Sequence, residues 1–82
     1  MLKEYNFVLH YKIPLDEDPE TYIDPLFEEG CDDSTLYFGK PGYIEIDFIR
    51  EANTAADAIA SAIKQVKSAI PNSEICHVLS EN

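Results

Sequence analysis

The stretch that decides the fold is Tyr43–Ala52, with the sequence Tyr-Ile-Glu-Ile-Asp-Phe-Ile-Arg-Glu-Ala, together with the segment that follows it, residues 54–70. Apolar and polar side chains alternate in the first part, which is typical of a β-strand with one buried face. In the second part the apolar residues recur with a helical period and predict an amphipathic helix. Its predicted buried stripe consists of Ala55, Ile59, Ala62, Ile63, Val66 and Ile70. A strand that leads directly into such a helix predicts half of a β-α-β unit.

The first part of the chain predicts the other half of that arrangement. Residues 5–13 alternate most clearly of all and predict a strand that Pro14 ends. Asp18 and Pro19 then have the pattern of a helix N-cap followed by proline. Pro25 is expected to give either a short turn with a helix restarted from Pro25 or one kinked helix. The predicted apolar face and C-cap of this helix are Tyr22, Ile23, Leu26 and Phe27, with Gly30 as the cap.

Three further segments complete the predicted order. Residues 35–38 predict a short strand, and residues 39–42 predict a hairpin loop that connects it to the strand Tyr43–Ala52. Residues 74–79 predict a last strand, with residues 80–82 as a frayed end. The order β-α-β-β-α-β predicts an α+β fold, the ferredoxin-like two-layer sandwich, with an antiparallel sheet of strand order 4-1-3-2. The length of 82 residues predicts a single domain over residues 1–82.

Composition narrows the function classes. The formal net charge is −10, from 16 acidic residues against 6 Lys and Arg, which predicts no direct nucleic-acid binding. No apolar run has the length of a signal peptide or a membrane span, so we expect a cytoplasmic protein without a membrane partner. Cys31 and Cys76 occur without a CxxC or zinc-type spacing, which predicts reduced thiols.

Three stretches carry a resemblance to a known group of proteins. They are Leu-Phe-Glu-Glu-Gly-Cys-Asp-Asp-Ser at 26–34, Ile-Glu-Ile-Asp-Phe-Ile-Arg-Glu-Ala at 44–52, and Ala-Ile-Ala-Ser-Ala-Ile at 58–63. In these the chain resembles the N-terminal domain of small bacterial proteins of unknown function that carry a C-terminal helix-turn-helix-like segment. The sequence stops at Asn82, where that segment is expected to begin. The DNA-binding role that the resemblance implies for the group is therefore not transferred to these residues.

An acidic cluster lies between positions 16 and 33, and we call it the acidic lobe. It consists of Asp16, Glu17, Asp18, Glu20, Asp24, Glu28, Glu29, Asp32 and Asp33. One interpretation is a solvated helix face with its caps; another is a surface that docks a basic protein or mimics nucleic acid. A calcium site is a third, although the run lacks the spacing and the glycine of an EF-hand loop.

The predicted sheet has one face that two helices in so short a chain do not cover. Its predicted interaction face consists of Val8, His10, Tyr37, Tyr43, Glu45, Asp47 and Ile49, while Leu36 and Phe38 are expected in the core. Tyrosine and apolar residues among charged neighbours are typical of a protein interface, where tyrosine is enriched. The alternative is an ordinary solvated sheet with a few exposed apolar residues.

No catalytic residue, metal site or cofactor is predicted. A metal site could bring together His10, His77, Cys76, Glu45 and Asp47, but only one of Cys76 and His77 can join the others on one face, and no ligand motif supports it. An acylphosphatase-type enzyme needs a basic phosphate loop, whereas residues 14–18 are anionic. Arg50, the one arginine, is expected to pair with Glu51, Asp57 or Glu4. Cys31 is expected to pack as a small apolar residue with a raised pKa.

These observations predict a non-enzymatic protein-interaction or regulatory module that associates with a protein partner or with itself as a homodimer. The alternative hypothesis is a small acidic inhibitor or antitoxin-like protein. Such a protein would mask the basic nucleic-acid-binding surface of its partner, and the net charge of −10 with its acidic lobe motivates it.

Overall fold

The computed structural model describes residues 2–80 and contains four β-strands, one 3-10 helix and two α-helices. The elements in chain order are β1 (Lys3–Lys12), the 3-10 helix (Pro19–Tyr22), α1 (Ile23–Glu28), β2 (Ser34–Tyr37), β3 (Tyr43–Ala52), α2 (Ala55–Ala69) and β4 (Glu74–Ser80). The predicted order of strands and helices is confirmed. Ser80 belongs to β4 and not to a frayed end, and positions 81 and 82 of that predicted end lie outside the described residues.

The four strands form one open antiparallel sheet in the order β2-β3-β1-β4. This confirms the predicted α+β class and the predicted strand order 4-1-3-2. Along the central pair, Phe7 lies opposite Phe48 and Leu9 lies opposite Ile46. Paired residues of antiparallel strands point to the same side of a sheet, so this register aligns the buried faces of β1 and β3.

The core lies between this sheet and the helices. The predicted inward residues of β1 and β3 are all buried: Phe7, Leu9, Tyr11, Ile44, Ile46 and Phe48. The rings of Phe7 and Phe48 stack with centroids 5.1 Å apart. From the helices, Leu26 of α1 and Val66 of α2 are fully buried against them. Burial of these side chains supplies most of the driving force for folding.

The first helical segment is divided as Pro25 requires. Asp18 accepts a hydrogen bond from the amide of Glu20 at 3.0 Å and caps the 3-10 helix, with Pro19 at its first position. The α-helix then begins at Ile23, which places Pro25 in the first turn, where its missing N–H leaves no intrahelical bond unmade. A short turn followed by a restarted helix is found, as predicted, but the helix begins at Ile23 and not at Pro25.

The end of α1 directs the chain back into the core. Gly30 has a φ of +105°, a conformation that disfavours any side chain. The amide of Gly30 donates to the Phe27 carbonyl, and that of Cys31 donates to the Leu26 carbonyl. These two bonds form a Schellman motif, in which the residue after the glycine turns inward. Cys31 is fully buried, as predicted for a small apolar residue.

Helix α2 presents a different stripe from the predicted one. Ala58, Ala62 and Val66 are buried, whereas Ile59 and Ile63 are only partly buried beside the core. Small residues at the centre allow the helix to approach the sheet, so the larger isoleucines lie at the margins of the contact. Of the predicted stripe, Ala62, Val66 and Ile70 are buried, whereas Ile63 lies at the margin, and Ala58 is buried although it is not part of that prediction. The predicted N-cap is confirmed, because Thr54 accepts from the Asp57 amide at 3.1 Å.

Two phenylalanines assigned to the core are exposed instead. Phe38 follows the last residue of β2, Tyr37, so strand alternation no longer determines its side. Phe27 lies on a helix of only six residues whose core position is filled by Leu26. Leu36 does pack against the core as a partly buried residue.

Within residues 2–80, no helix combines the length and the apolar character needed to cross a lipid bilayer.

Candidate functional site on the open face of the sheet

The sheet face opposite the helices carries all seven residues of the predicted interaction face. The pairing of β1 with β3 places His10 opposite Glu45 and Val8 opposite Asp47. The pairing of β2 with β3 places Tyr37 opposite Glu45 as well. Tyr43 and Ile49 follow by alternation along β3, since the residues between them that face the helices are buried. We call this surface the open face.

A row of polar and aromatic side chains crosses the open face from one edge of the sheet to the other. It runs Tyr37, Glu45, His10 and His77, because His77 of β4 lies opposite His10. His10 Nε2 lies 3.6 Å from Glu45 Oε1, and both side chains are partly exposed. The His10 and His77 rings meet edge to face with centroids 6.1 Å apart. The row thus joins all four strands by side chains that face solvent.

Two shallow concavities lie on this face and meet at Tyr37, and the row lines the first of them. One, of about 520 Å³, includes Tyr43 and Lys40, whose Nζ lies 4.9 Å from the centroid of the Tyr43 ring. The other, of about 530 Å³, includes Val8 and Ile49. An ammonium group over a tyrosine ring is a favourable cation–π contact, so Lys40 holds one wall of the first concavity.

The open face also exposes more apolar surface than the sequence analysis identified. The exposed fractions are 50% for Tyr37, 40% for Tyr43, 55% for Ile49 and 54% for Leu79. Leu79 and His77 were not assigned to this face. The sequence shows that His77 and Leu79 share one side of the last strand. It does not show which side of the sheet that is, because Cys76 forms a β-bulge and has no partner on β1.

The row does not form a metal site. His10, Glu45 and His77 come together as alternation allowed, with His77 rather than Cys76 in the row, while Asp47 lies one pair further along β3. In the part of the chain that the structure describes, however, no three His, Cys, Asp or Glu side chains are arranged to hold a metal ion.

Arg50 lies away from this face, in a buried network on the helix side. Its Nε and Nη2 donate to the two carboxylate oxygens of Asp33 at 2.7 and 2.9 Å. Nη1 donates to Ser61 Oγ at 3.0 Å, and Nη2 also donates to the Gly30 carbonyl at 3.1 Å. The expected pairing with Glu51, Asp57 or Glu4 is therefore wrong. Arg50 lies two residues after Phe48 on the strand, so both side chains point to the helix side of the sheet. There Arg50 meets Asp33, which lies in the loop before β2.

The charge environment of this network explains two pKa shifts. The hydrogen bonds to Asp33 raise the pKa of the Arg50 guanidinium, which stays charged although it is buried. Burial raises the pKa of the Cys31 thiol, and Asp33 and Glu29 add to the effect while Arg50 opposes it. The predicted direction of the pKa shift at Cys31 is confirmed, and its main cause is burial. A buried thiol with a raised pKa is a poor nucleophile.

The acidic lobe is distributed over several elements of the fold. Asp16, Glu17 and Asp18 precede the 3-10 helix, whereas Glu28 and Glu29 end α1. Most lobe side chains are exposed, and Asp33 is partly buried in its ion pair with Arg50.

Comparisons with known proteins yield no match for this chain, whether with family models, with curated proteins or with solved structures. The resemblance to the small bacterial proteins therefore stays an expectation.

Proposed function

We propose that the protein is a non-enzymatic interaction or regulatory module that docks a second copy of itself through the open face. In this proposal the fold is the ferredoxin-like sandwich, in which both helices cover one side of the sheet and leave the other side for binding. The observation that carries the proposal is the exposure of Tyr37, Tyr43, Ile49 and Leu79 on a single sheet surface.

The chemistry of these side chains supports docking of a protein surface. Tyrosine combines a large apolar ring with a hydroxyl that can bond across an interface, and few rotatable bonds are immobilised when it binds. The polar row, which lines the first concavity, supplies donors and acceptors across the face. Both edge strands contribute to it, so a partner that covers Tyr37 and His77 contacts the full width of the sheet.

Replacing Tyr43 with glutamate tests this proposal. The side chain points away from the core, so the variant is expected to fold while the buried negative charge breaks the contact between copies. Light scattering after size-exclusion chromatography should show a smaller assembly for Tyr43→Glu than for the wild type. Phe27→Glu is the matched control, since Phe27 is also an exposed aromatic residue but lies on α1.

Three results would contradict the proposal. The first is a wild type that elutes as a 9.3 kDa monomer at high concentration. The second is an assembly that Tyr43→Glu leaves unchanged. The third is a Tyr43→Glu variant that unfolds, because this would show that the two faces of β3 are assigned the wrong way round.

The acidic lobe supports a second candidate function, an acidic inhibitor or antitoxin-like protein that covers the basic surface of a partner. The observation that favours it is that, within residues 2–80, a salt bridge engages only Asp33 of the nine lobe residues. Eight carboxylates are thus left to meet cationic groups of a partner, and such contacts speed association and weaken with salt.

Charge reversal separates this second candidate from the first. The triple variant Glu28→Lys, Glu29→Lys, Asp32→Lys is expected to bind a basic partner protein with an association rate at least tenfold lower at low salt. Its self-association should stay intact. Asp33 is left unchanged, because its loss would strand the buried Arg50. Surface plasmon resonance at two salt concentrations measures the effect, with Glu51→Lys and Glu74→Lys as controls away from the lobe. Association rates that do not respond to the triple change would remove the lobe from function.

A further inference from the structure

Strand β4 differs from the rest of the sheet in its exposure. All seven of its residues are exposed, whereas β1 and β3 each bury alternate side chains. Ile75 and Val78 lie opposite Tyr11 and Leu9, on the helix side, and each remains 42% exposed. Leu79 lies opposite Val8, on the open face. The strand therefore presents apolar side chains on both faces.

The outer edge of β4 is also free of a strand partner within residues 2–80. The strand order places β4 at one edge of the sheet, with β1 as its neighbour on the other side. In an edge strand, the amide and carbonyl groups that point outward form a template for another strand. Folded proteins usually protect such an edge by charge, proline, shortness or cover.

The opposite edge of the same sheet shows that protection. Strand β2 has only four residues and is followed by a loop that contains Lys40 and Pro41. Strand β4 has seven residues with no proline, lysine or arginine, and its one formal charge is Glu74 at the start. The contrast indicates that the edge at β4 is left open for pairing.

We propose that β4 pairs antiparallel with β4 of a second copy about a twofold axis, which joins the two sheets into one sheet of eight strands. A twofold contact requires only that one surface complement itself, and antiparallel pairing of a strand with its own copy meets this condition. Ile75 and Val78 of each copy then come close to their counterparts on the helix side, where their apolar surface is covered. This contact is separate from the open face and does not rest on its proposed function.

The charge distribution permits a second copy at this edge, because β4 carries a single formal charge. Two chains of net charge −10 repel each other, and this repulsion is weakest when they meet through the surface that carries the fewest charges. In the eight-stranded sheet the two β2 strands lie at opposite edges, seven strand spacings or about 34 Å apart. Asp32 and Asp33 of the lobe directly precede β2, so these carboxylates of the two copies are far from each other. That distance is well beyond the Debye length of about 8 Å at physiological salt. A basic partner would instead be drawn to the lobe.

The native cysteines provide a direct test. Cys76 is exposed on β4, and Cys31 is buried. An axis one or two residues from Cys76 brings the two Cys76 Cα atoms within roughly 8–14 Å, a span that a short bismaleimide bridges. We expect the wild type to form a covalent dimer with this reagent and Cys76→Ser to form none. A wild type that gives no covalent dimer at concentrations where it self-associates would overturn the inference.

Two variants distinguish the β4 contact from the open-face contact. Val78→Lys places like charges near the twofold axis and should reduce Cys76 crosslinking at least tenfold, whereas Phe27→Lys, on α1, should not. Tyr43→Glu should leave the crosslink intact. If both contacts form, light scattering should give a wild-type assembly larger than a dimer, which each variant reduces to a dimer. Undiminished crosslinking in folded Val78→Lys would overturn the inference and leave the open face unaffected.

Hydrogen exchange of the wild type tests the contact without a substitution. Amides of β4 should exchange more slowly as protein concentration rises, and by a larger factor than amides of β2, because pairing of β4 adds hydrogen bonds at that edge alone whereas a contact on the open face covers both edge strands. A β4 exchange rate that does not depend on concentration would also overturn the inference.

Discussion

Replacing Arg50 with alanine is expected to lower the free energy of unfolding by about 3–5 kcal/mol, a large part of the stability of a small domain. Arg50 is one of the few buried charged groups, and its guanidinium joins Asp33, the Gly30 carbonyl and Ser61. Its loss leaves the Asp33 carboxylate partly buried without its cation. It also removes the link between β3, α2 and the loop that follows α1. Urea denaturation followed by circular dichroism measures the effect.

A neighbouring residue and a double variant make this result specific. Glu51→Ala, at the adjacent exposed position, should change stability by less than about 0.5 kcal/mol. Arg50→Met combined with Asp33→Ala should be less harmful than the sum of the single changes, because neither charge is then left alone. Additive losses, or an Arg50→Ala loss below about 1 kcal/mol, would show that the pair does not hold these elements together.

Replacing Phe48 with alanine is expected to cost about 3–5 kcal/mol, whereas Ile49→Ala should cost less than about 1 kcal/mol. Phe48 is fully buried, stacks on Phe7 and lies 4.8 Å from the Arg50 guanidinium carbon. Ile49, the next residue, points to the open face and is more than half exposed. Adjacent strand residues face opposite sides, so this pair tests the face assignment on which the candidate site depends.

The outcome of this comparison has a direct bearing on function. Similar losses at Phe48 and Ile49 would mean that something covers both sides of β3 within the folded chain, and the open face would not be available for a partner. Thermal unfolding at several protein concentrations adds a second check, since association through the open face makes Ile49→Ala more harmful at high concentration.

Local patterns determined the strands, the second helix and the sides of the central strands. Alternation in Tyr43–Ala52 and in the first strand depends on the two-residue repeat of a β-strand, which is a property of the backbone and needs no knowledge of the partner. The helix caps followed for the same reason, because Asp18, Gly30 and Thr54 lie within a few residues of the amides or carbonyls that the caps satisfy. The seven residues of the predicted interaction face follow from the same alternation, combined with the strand order that right-handed crossovers impose.

Tertiary structure alone decided the features that depend on where separate segments meet. Arg50 pairs with Asp33 and not with a carboxylate closer in the sequence, such as Glu51. The reason is that the Schellman turn directs the loop after α1 towards the inner side of β3. The bulge at Cys76 decided that His77 and Leu79 join the open face, since it shifts the register between β4 and β1. The position of α2 made Ala58 and Ala62 central and left Ile63 at the margin, because the closest helix–sheet approach favours small side chains. The exposure of β4 on both faces likewise follows from the extent of the helix layer, which periodicity within the strand does not encode.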